Sequence, residues 1–308
     1  MKRQTIPGLM DVLEVDDPSE IKALASDPRL DRRFDAGGCP INRFLLKRSL
    51  MVLSFGGRRL PTMMPRDDAQ RAKGQKELWT ALSEKASAIQ AGPDELESLA
   101  NWVRDGDSDA GPGIMVQQLL GQLFSSDFVA TPESWAAALT LVAAPRSKNL
   151  PKMLWWFVIG KVRRAKRLLA GMVNDDLSAM NAIGIAAHNI VKSLRHMRVL
   201  YADLGLRSSL TAQTAAEQCL FAPVSLYRQA TAAGQLNGCQ FSRDSLFVLA
   251  IGEASQRAEG RSLVFMDDIW SQCPANLWVS GDAARRLATC CSVLEDCVST
   301  TTERDHFR

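Results

Sequence analysis

The chain has 308 residues, enough for one large domain or two modest ones around a sizeable core. Hydrophobic residues make up 46% and charged residues 23%, ordinary values that exclude neither enzyme nor binding protein but do exclude a disordered chain. A formal charge of +3, from 37 basic and 34 acidic residues, is too even for a nucleic-acid binder, which concentrates positive charge on one face.

The amino-terminal stretch MKRQTIPGLMDVLEVDD turns acidic before any apolar run of signal-peptide length, and it reads as a loop. A short helix follows in DPSEIKALASDPRL, where Asp17 can cap, Pro18 suits the first turn, and Ile21 and Leu24 share a face. Residues 36–66 are punctuated by Gly37-Gly38, Pro40, Gly56-Gly57, Pro61 and Pro65 around a basic helix, NRFLLKRSL. A long polar helix is expected over residues 67–90, with Leu78, Ala81 and Leu82 as its buried stripe and Trp79 at its edge. The run DGDSDAGPG, 105–113, predicts a loop.

Helices are then predicted over 114–125, 132–143, 150–173 and 175–204, bounded by Pro132, Pro145, Pro151 and Gly205. In the third, Trp155, Val158, Val162, Ala165, Leu169 and Met172 form one stripe, and Lys161, Arg163, Arg164, Lys166 and Arg167 cover much of the rest. The plainer reading is a core helix with a solvated charged face. A docking surface for an acidic partner comes second, and contact with an anionic membrane last. The apolar run 153–160 falls far short of the roughly 20 residues that span a bilayer.

Beyond residue 205 two strand-like runs occur, VSLYRQAT and, after an Asn237-Gly238 turn, DSLFVLAIGEA. The fold class expected is mainly α with a small β part confined to the carboxy-terminal third. One domain covers 1–308: amino-terminal helices and loops to 113, a helical core over 114–204, and a mixed α/β stretch over 205–308. Seven cysteines without a regular Cys-x-x-Cys pair, and three histidines, argue against a zinc site. The expectation is a cytoplasmic protein with reduced thiols.

Several pieces of the last third stand in a telling order. Glu217 opens Glu-Gln-Cys-Leu, Pro223 follows, and Arg228 lies in the extended segment 224–231. Next come a Leu236-Asn237-Gly238 hairpin, an Ala254-Ser255-Gln256-Arg257 turn, Phe265-Met-Asp-Asp-Ile-Trp270, and Trp278-Val-Ser-Gly281-Asp-Ala-Ala-Arg285-Arg286-Leu287. This series resembles the cytochrome P-450 superfamily. Its counterparts there are a Glu-x-x-Arg helix, an extended segment whose Arg pairs with a haem propionate, a Gly-containing hairpin, an Ala-Asn-Arg-Asp-like turn, Phe-x-Pro-Glu-Arg-Trp and the haem-binding loop. Asp17-Pro18 through Asp27-Pro28-Arg29 is similar to that family's first helix, but the resemblance is specific only over residues 212–295. It implies a shortened version of the family's helical prism.

The departures bear on chemistry. With the loop aligned through Trp278 and Arg285-Arg286, the position of the haem thiolate falls on Leu287, which cannot ligate iron. Leu220 stands where the arginine of Glu-x-x-Arg should be. The oxygen-activating helix normally carries an acid and a hydroxyl; its best counterpart, Ile183-Gly184-Ile185-Ala186-Ala187, has alanine at both positions. Cys273 is the challenger for the ligand: it precedes Pro274, but it lies one residue further from Phe265 than the family spacing, with no glycine between. A structural thiol is the plainer reading for Cys273, as it is for Cys290, Cys291 and Cys297 on a terminal helix.

His188 and His196 lie eight apart on one helix, with Lys192 between them, a poor metal site without a third ligand. Arg66 and Arg71 are either surface residues of a turn or remnants of a propionate contact. The resemblance therefore implies a degenerate, haem-free relative that binds and assists a biosynthetic enzyme, as haem-free relatives assist a glycosyltransferase in actinobacterial glycosylation pathways. Two alternatives stand beside it. One is a haem-independent enzyme holding an apolar small molecule in a cavity lined by Ala186, Ala187, Leu220 and Leu287, with Glu217 and His188 as proton-transfer groups. The other is a haem monooxygenase or peroxygenase ligated through Cys273 or a histidine.

Overall fold

The structure is a computed structural model, and it describes residues 1–34, 37–86, 98–103, 111–145, 150–202, 218–220, 222–267 and 269–273. Its sheet begins at the amino terminus, which corrects the expectation of a loop there and of β structure only in the last third. Strands β1 (Lys2–Ile6) and β2 (Met10–Val15) form a hairpin, and β2 then pairs in parallel with β9 (Leu246–Leu249). With β6 (Leu226–Ala230) and β3 (Leu30–Asp31) the order is β1-β2-β9-β6-β3. The hairpin escaped the sequence reading because β1 is exposed along its length and shows no apolar alternation. In β2 the residues Val12, Leu13 and Val15 are buried, and their pairing partner lies more than 230 residues away.

Local signals hold where they are strong. Asp17 caps α1 (Pro18–Ser26) by accepting from the Glu20 amide at 2.9 Å, and Ile21 and Leu24 are buried. Helix α2 (Pro40–Val52) is tied to β2 through Asn42, whose amide donates to the Asp11 carbonyl at 2.8 Å and whose Oδ1 accepts from the Asp11 amide at 3.2 Å. Short strands β4 (Ser54–Phe55) and β5 (Arg58–Arg59) pair next, and α3 (Ala69–Ala86) realises the polar helix. Helices α4 (Gly113–Gln122) and α5 (Pro132–Ala143) follow, the latter with a Thr131–Ser134 capping box. The Asn237-Gly238 turn, with both residues at positive φ, joins β7 (Gly234–Leu236) to β8 (Cys239–Phe241). It therefore closes a small hairpin between the two longer strand runs, and the second run ends as helix α10 (Ile251–Ala254).

Two predicted helices are not continuous. The one expected over 150–173 is two, α6 (Leu150–Val158) and α7 (Lys161–Met172), separated at Gly160, whose φ of +64° suits glycine. The helix expected over 175–204 runs as α8 (Leu177–Asn181), a π-helical segment (Ala182–Ala186) and α9 (Ala187–Ala202). Gln117 of α4, fully buried, donates to the Ile183 carbonyl at 2.8 Å and so satisfies a group inside the π segment. It also donates to the Ser134 carbonyl and accepts from the Ser134 hydroxyl, joining α4, α5 and the widened turn. No helix among the described residues is long and apolar enough to cross a membrane.

Candidate functional site

Arg228 sits on β6, between β9 and β3, and is 0% exposed. Its Nη1 donates to the Tyr227 carbonyl and its Nη2 to the Ser271 hydroxyl, both at 2.9 Å, while its buried Nε has no partner among the described residues. Arg32 follows β3 directly and is 5% exposed. Arg66 precedes α3, and Arg71 lies in its first turn. All four guanidinium groups converge on the ring of Trp270: Arg71 at 5.0 Å from the centroid, Arg32 at 5.2 Å, Arg228 at 5.3 Å and Arg66 at 6.0 Å. These are cation–π distances.

Trp270 is held on two further sides. Its indole N–H donates to the Ala25 carbonyl at 3.0 Å, and its own carbonyl accepts from Arg71 Nη1 at 2.9 Å. Gln75, one turn along α3, donates to the Gln272 carbonyl at 3.2 Å. Asp31 supplies a carboxylate: it accepts from the backbone amides of Arg32 at 2.6 Å and Arg66 at 2.8 Å, and from Arg33 Nε at 3.3 Å.

The electrostatics follow from burial. Loss of solvent, then the charges of Arg228 and Arg71, push the Arg32 guanidinium well below its ordinary range, against the opposing pull of Asp31 and Cys273. Burial likewise brings Arg228 down to about 10, with Asp31 opposing. The result is a positive corner, buried at Arg32 and Arg228 and open at Arg66, that favours a negative group.

Cys273 belongs to this corner. Its amide donates to the Phe265 carbonyl at 2.7 Å, closing the segment into a loop. The sequence offers no glycine in that segment, yet Met266 takes the left-handed conformation at φ 56°. Of the other expected site residues, His188 is half-buried at the start of α9, as is His196 two turns on. Ala187 is buried, and Ala186 partly so, against the apolar cluster of Leu119, Val191 and Cys219. Glu217, Arg285, Leu287, Cys290, Cys291 and Cys297 lie outside the described residues, and Leu220 is half-buried. Among the described residues no group of three or more His, Cys, Asp or Glu side chains could hold a metal ion.

Arg228, Arg66, Arg71 and Cys273 were legible as candidates from the resemblance. Arg32, Asp31 and Ser271 were not, and Trp270 was legible only as part of a motif. They come from separate segments, so no spacing rule links them; a buried arginine beside a strand end would have been the one available signal.

These residues can be tested against haem. The arginines carry the charge that its propionates need, and Arg228 Nε is buried without a partner among the described residues. The ring of Trp270 stands beside all four guanidinium groups, and Ala186 closes the π-helical stretch with Ala187 opening the helix after it. These residues suit the negatively charged edge of such a group.

No protein-family model matches the sequence, and neither does any curated protein. Solved structures do. CYP105N1 from Streptomyces coelicolor A3(2) is similar with a TM-score of 0.56 and 14% identity, over 95% of this chain and 83% of that one. Mycinamicin VIII C21 methyl hydroxylase MycCI from Micromonospora griseorubida gives 0.55 and 13%, over 97% and 86%. The bacillaene polyketide synthase cytochrome P450 PksS of Bacillus subtilis 168 gives 0.57 and 12%, over 96% and 84%. At such identities the likeness speaks for the fold alone, and it covers nearly the whole chain: this protein has a cytochrome P450-like fold, mainly α with a small β part.

Proposed function

We propose that this chain works without haem-thiolate chemistry, as a binding or auxiliary partner of a biosynthetic enzyme. The observation that carries the reading is Trp270. Its ring lies at cation–π distance from Arg32, Arg66, Arg71 and Arg228. Four cations matched internally by a ring and by Asp31 have less need of an external anion. The alanines at 186 and 187, and Leu287 in the aligned haem loop, point the same way from the sequence. The biosynthetic setting is supported by the structural neighbours, among them the enzyme CxnD for C–S bond formation in chuangxinmycin biosynthesis.

The test is an absorption spectrum of the full chain expressed with a haem precursor. A colourless protein that elutes together with a co-expressed biosynthetic enzyme is the expected result; a Soret band would sink it. One arrangement favours the second reading, haem held through Cys273. The thiol sits in the loop closed on Phe265, acts on Arg32, and lies two residues from the Ser271 that Arg228 contacts. On that reading a Soret band appears and Cys273→Ser abolishes or shifts it.

A further inference from the structure

The apolar stripe expected along 150–173 is only half buried. Val162, Ala165 and Leu169 of α7 are in the core, but Trp155, Phe157 and Val158 of α6 are 61%, 63% and 70% exposed. The break at Gly160, with its left-handed backbone, separates α6 from the helix whose stripe is on the core. At about 100° per residue, the side chains at 155, 157 and 158 spread around most of the helix. Trp156, by contrast, turns inward and packs against the cluster of Phe128, Leu141 and Leu169.

Cations frame this bare turn. Residues 150–172 hold six of the chain's 37 basic residues and none of its 34 acidic ones, so without them the formal charge would fall from +3 to −3. Lys161 lies 4.7 Å from the Trp156 centroid, and Arg164 donates to the Ile159 carbonyl at 2.8 Å. Lys161, Arg163, Arg164 and Arg167 are exposed, while Lys166 anchors the pair by donating to the Met51 and Ser54 carbonyls at 2.6 and 2.7 Å.

We infer that the α6–α7 pair is a docking surface for an anionic phospholipid bilayer, with Trp155, Phe157 and Val158 entering the headgroup–acyl boundary and Lys161, Arg163, Arg164 and Arg167 meeting lipid phosphates. Two features favour a bilayer over a protein face. The exposed residues project on several sides of one helix end, which suits immersion in a fluid medium better than contact with one rigid surface. The cations lack any carboxylate beside them in sequence, which calls for an extended negative plane. The surface is separate from the corner around Trp270, so this inference does not depend on whether haem is held.

Sedimentation of the full chain with vesicles tests it. The protein is expected to sediment with vesicles of equal parts phosphatidylcholine and phosphatidylglycerol, and not with phosphatidylcholine alone. Neutralising Arg163 and Arg167 to glutamine should weaken binding about fivefold for each cation. The W155S/F157S double variant should lose binding at an unchanged melting temperature, since both side chains are exposed. No sedimentation of the wild-type chain with the anionic vesicles, or equal binding by the variants, overturns the inference. So does a concentration-dependent dimer that the same double variant abolishes, for then a second copy of the chain covers the patch.

Discussion

The corner around Trp270 and the α6–α7 pair are both rich in cations, and they answer that charge in opposite ways. In the corner, burial of Arg32 and Arg228 forces an internal answer: Asp31 and the indole ring meet them, with Arg71 half-buried and Arg66 exposed at the rim. On α6–α7 the cations stay in solvent, and the apolar side chains beside them are left uncovered. The first arrangement is structural by construction, because removing Asp31 or Trp270 leaves the buried charges of Arg32 and Arg228 less well matched. The second can change with little effect on the fold. Stability measurements should therefore separate the two regions sharply.

The largest effect is expected from Trp270→Ala, which strips the ring from Arg32, Arg71 and Arg228; urea unfolding should show a loss of about 3–5 kcal/mol. Asp31→Asn removes a buried carboxylate from among the arginines and should cost about 3 kcal/mol in the same assay. A smaller effect comes from pH. Arg228 is brought down to about 10 in the folded chain, below the ordinary guanidinium range, so above that value the unfolded chain binds more protons and stability from this group rises with pH. Comparing the wild-type chain with Arg228→Met, the difference should be flat below pH about 9 and then move in favour of the wild type. Its slope there should approach about 1.4 kcal/mol per pH unit. A flat difference to pH 11 would show that Arg228 keeps its proton. Smallest of all, W155S/F157S should change stability by about 0.5 kcal/mol or less, as for other surface substitutions. A larger loss would place α6 in the core after all.

The parts of the fold legible in the sequence were those set within a few residues. Asp17, Pro132 and Asn237-Gly238 each act on their own turn, and two helix starts and a hairpin form at them. The missed parts depend on distant partners. Strand β2 is a strand because β9 lies beside it, and Trp155 is exposed on a helix that Gly160 separates from α7. The site shows the same division. Arg228 could be read from its neighbours in sequence, whereas Arg32 joins it only because β3 pairs with β6 across the sheet edge. Gln117 gave no sign of its role, since the carbonyl it satisfies belongs to a helix 66 residues on.

The parallel pairing of β2 with β9 has a bearing on how the chain is made. A ribosome delivers the first hairpin early, but the strand that covers its inner edge emerges only after residue 246. Until then β2 offers unpaired amides and carbonyls to any other nascent chain, while the intervening helices can already condense through contacts near in sequence. Completion of the sheet is thus a late event in synthesis, and slow translation beyond the helical core would prolong the interval in which the newborn protein is prone to aggregate.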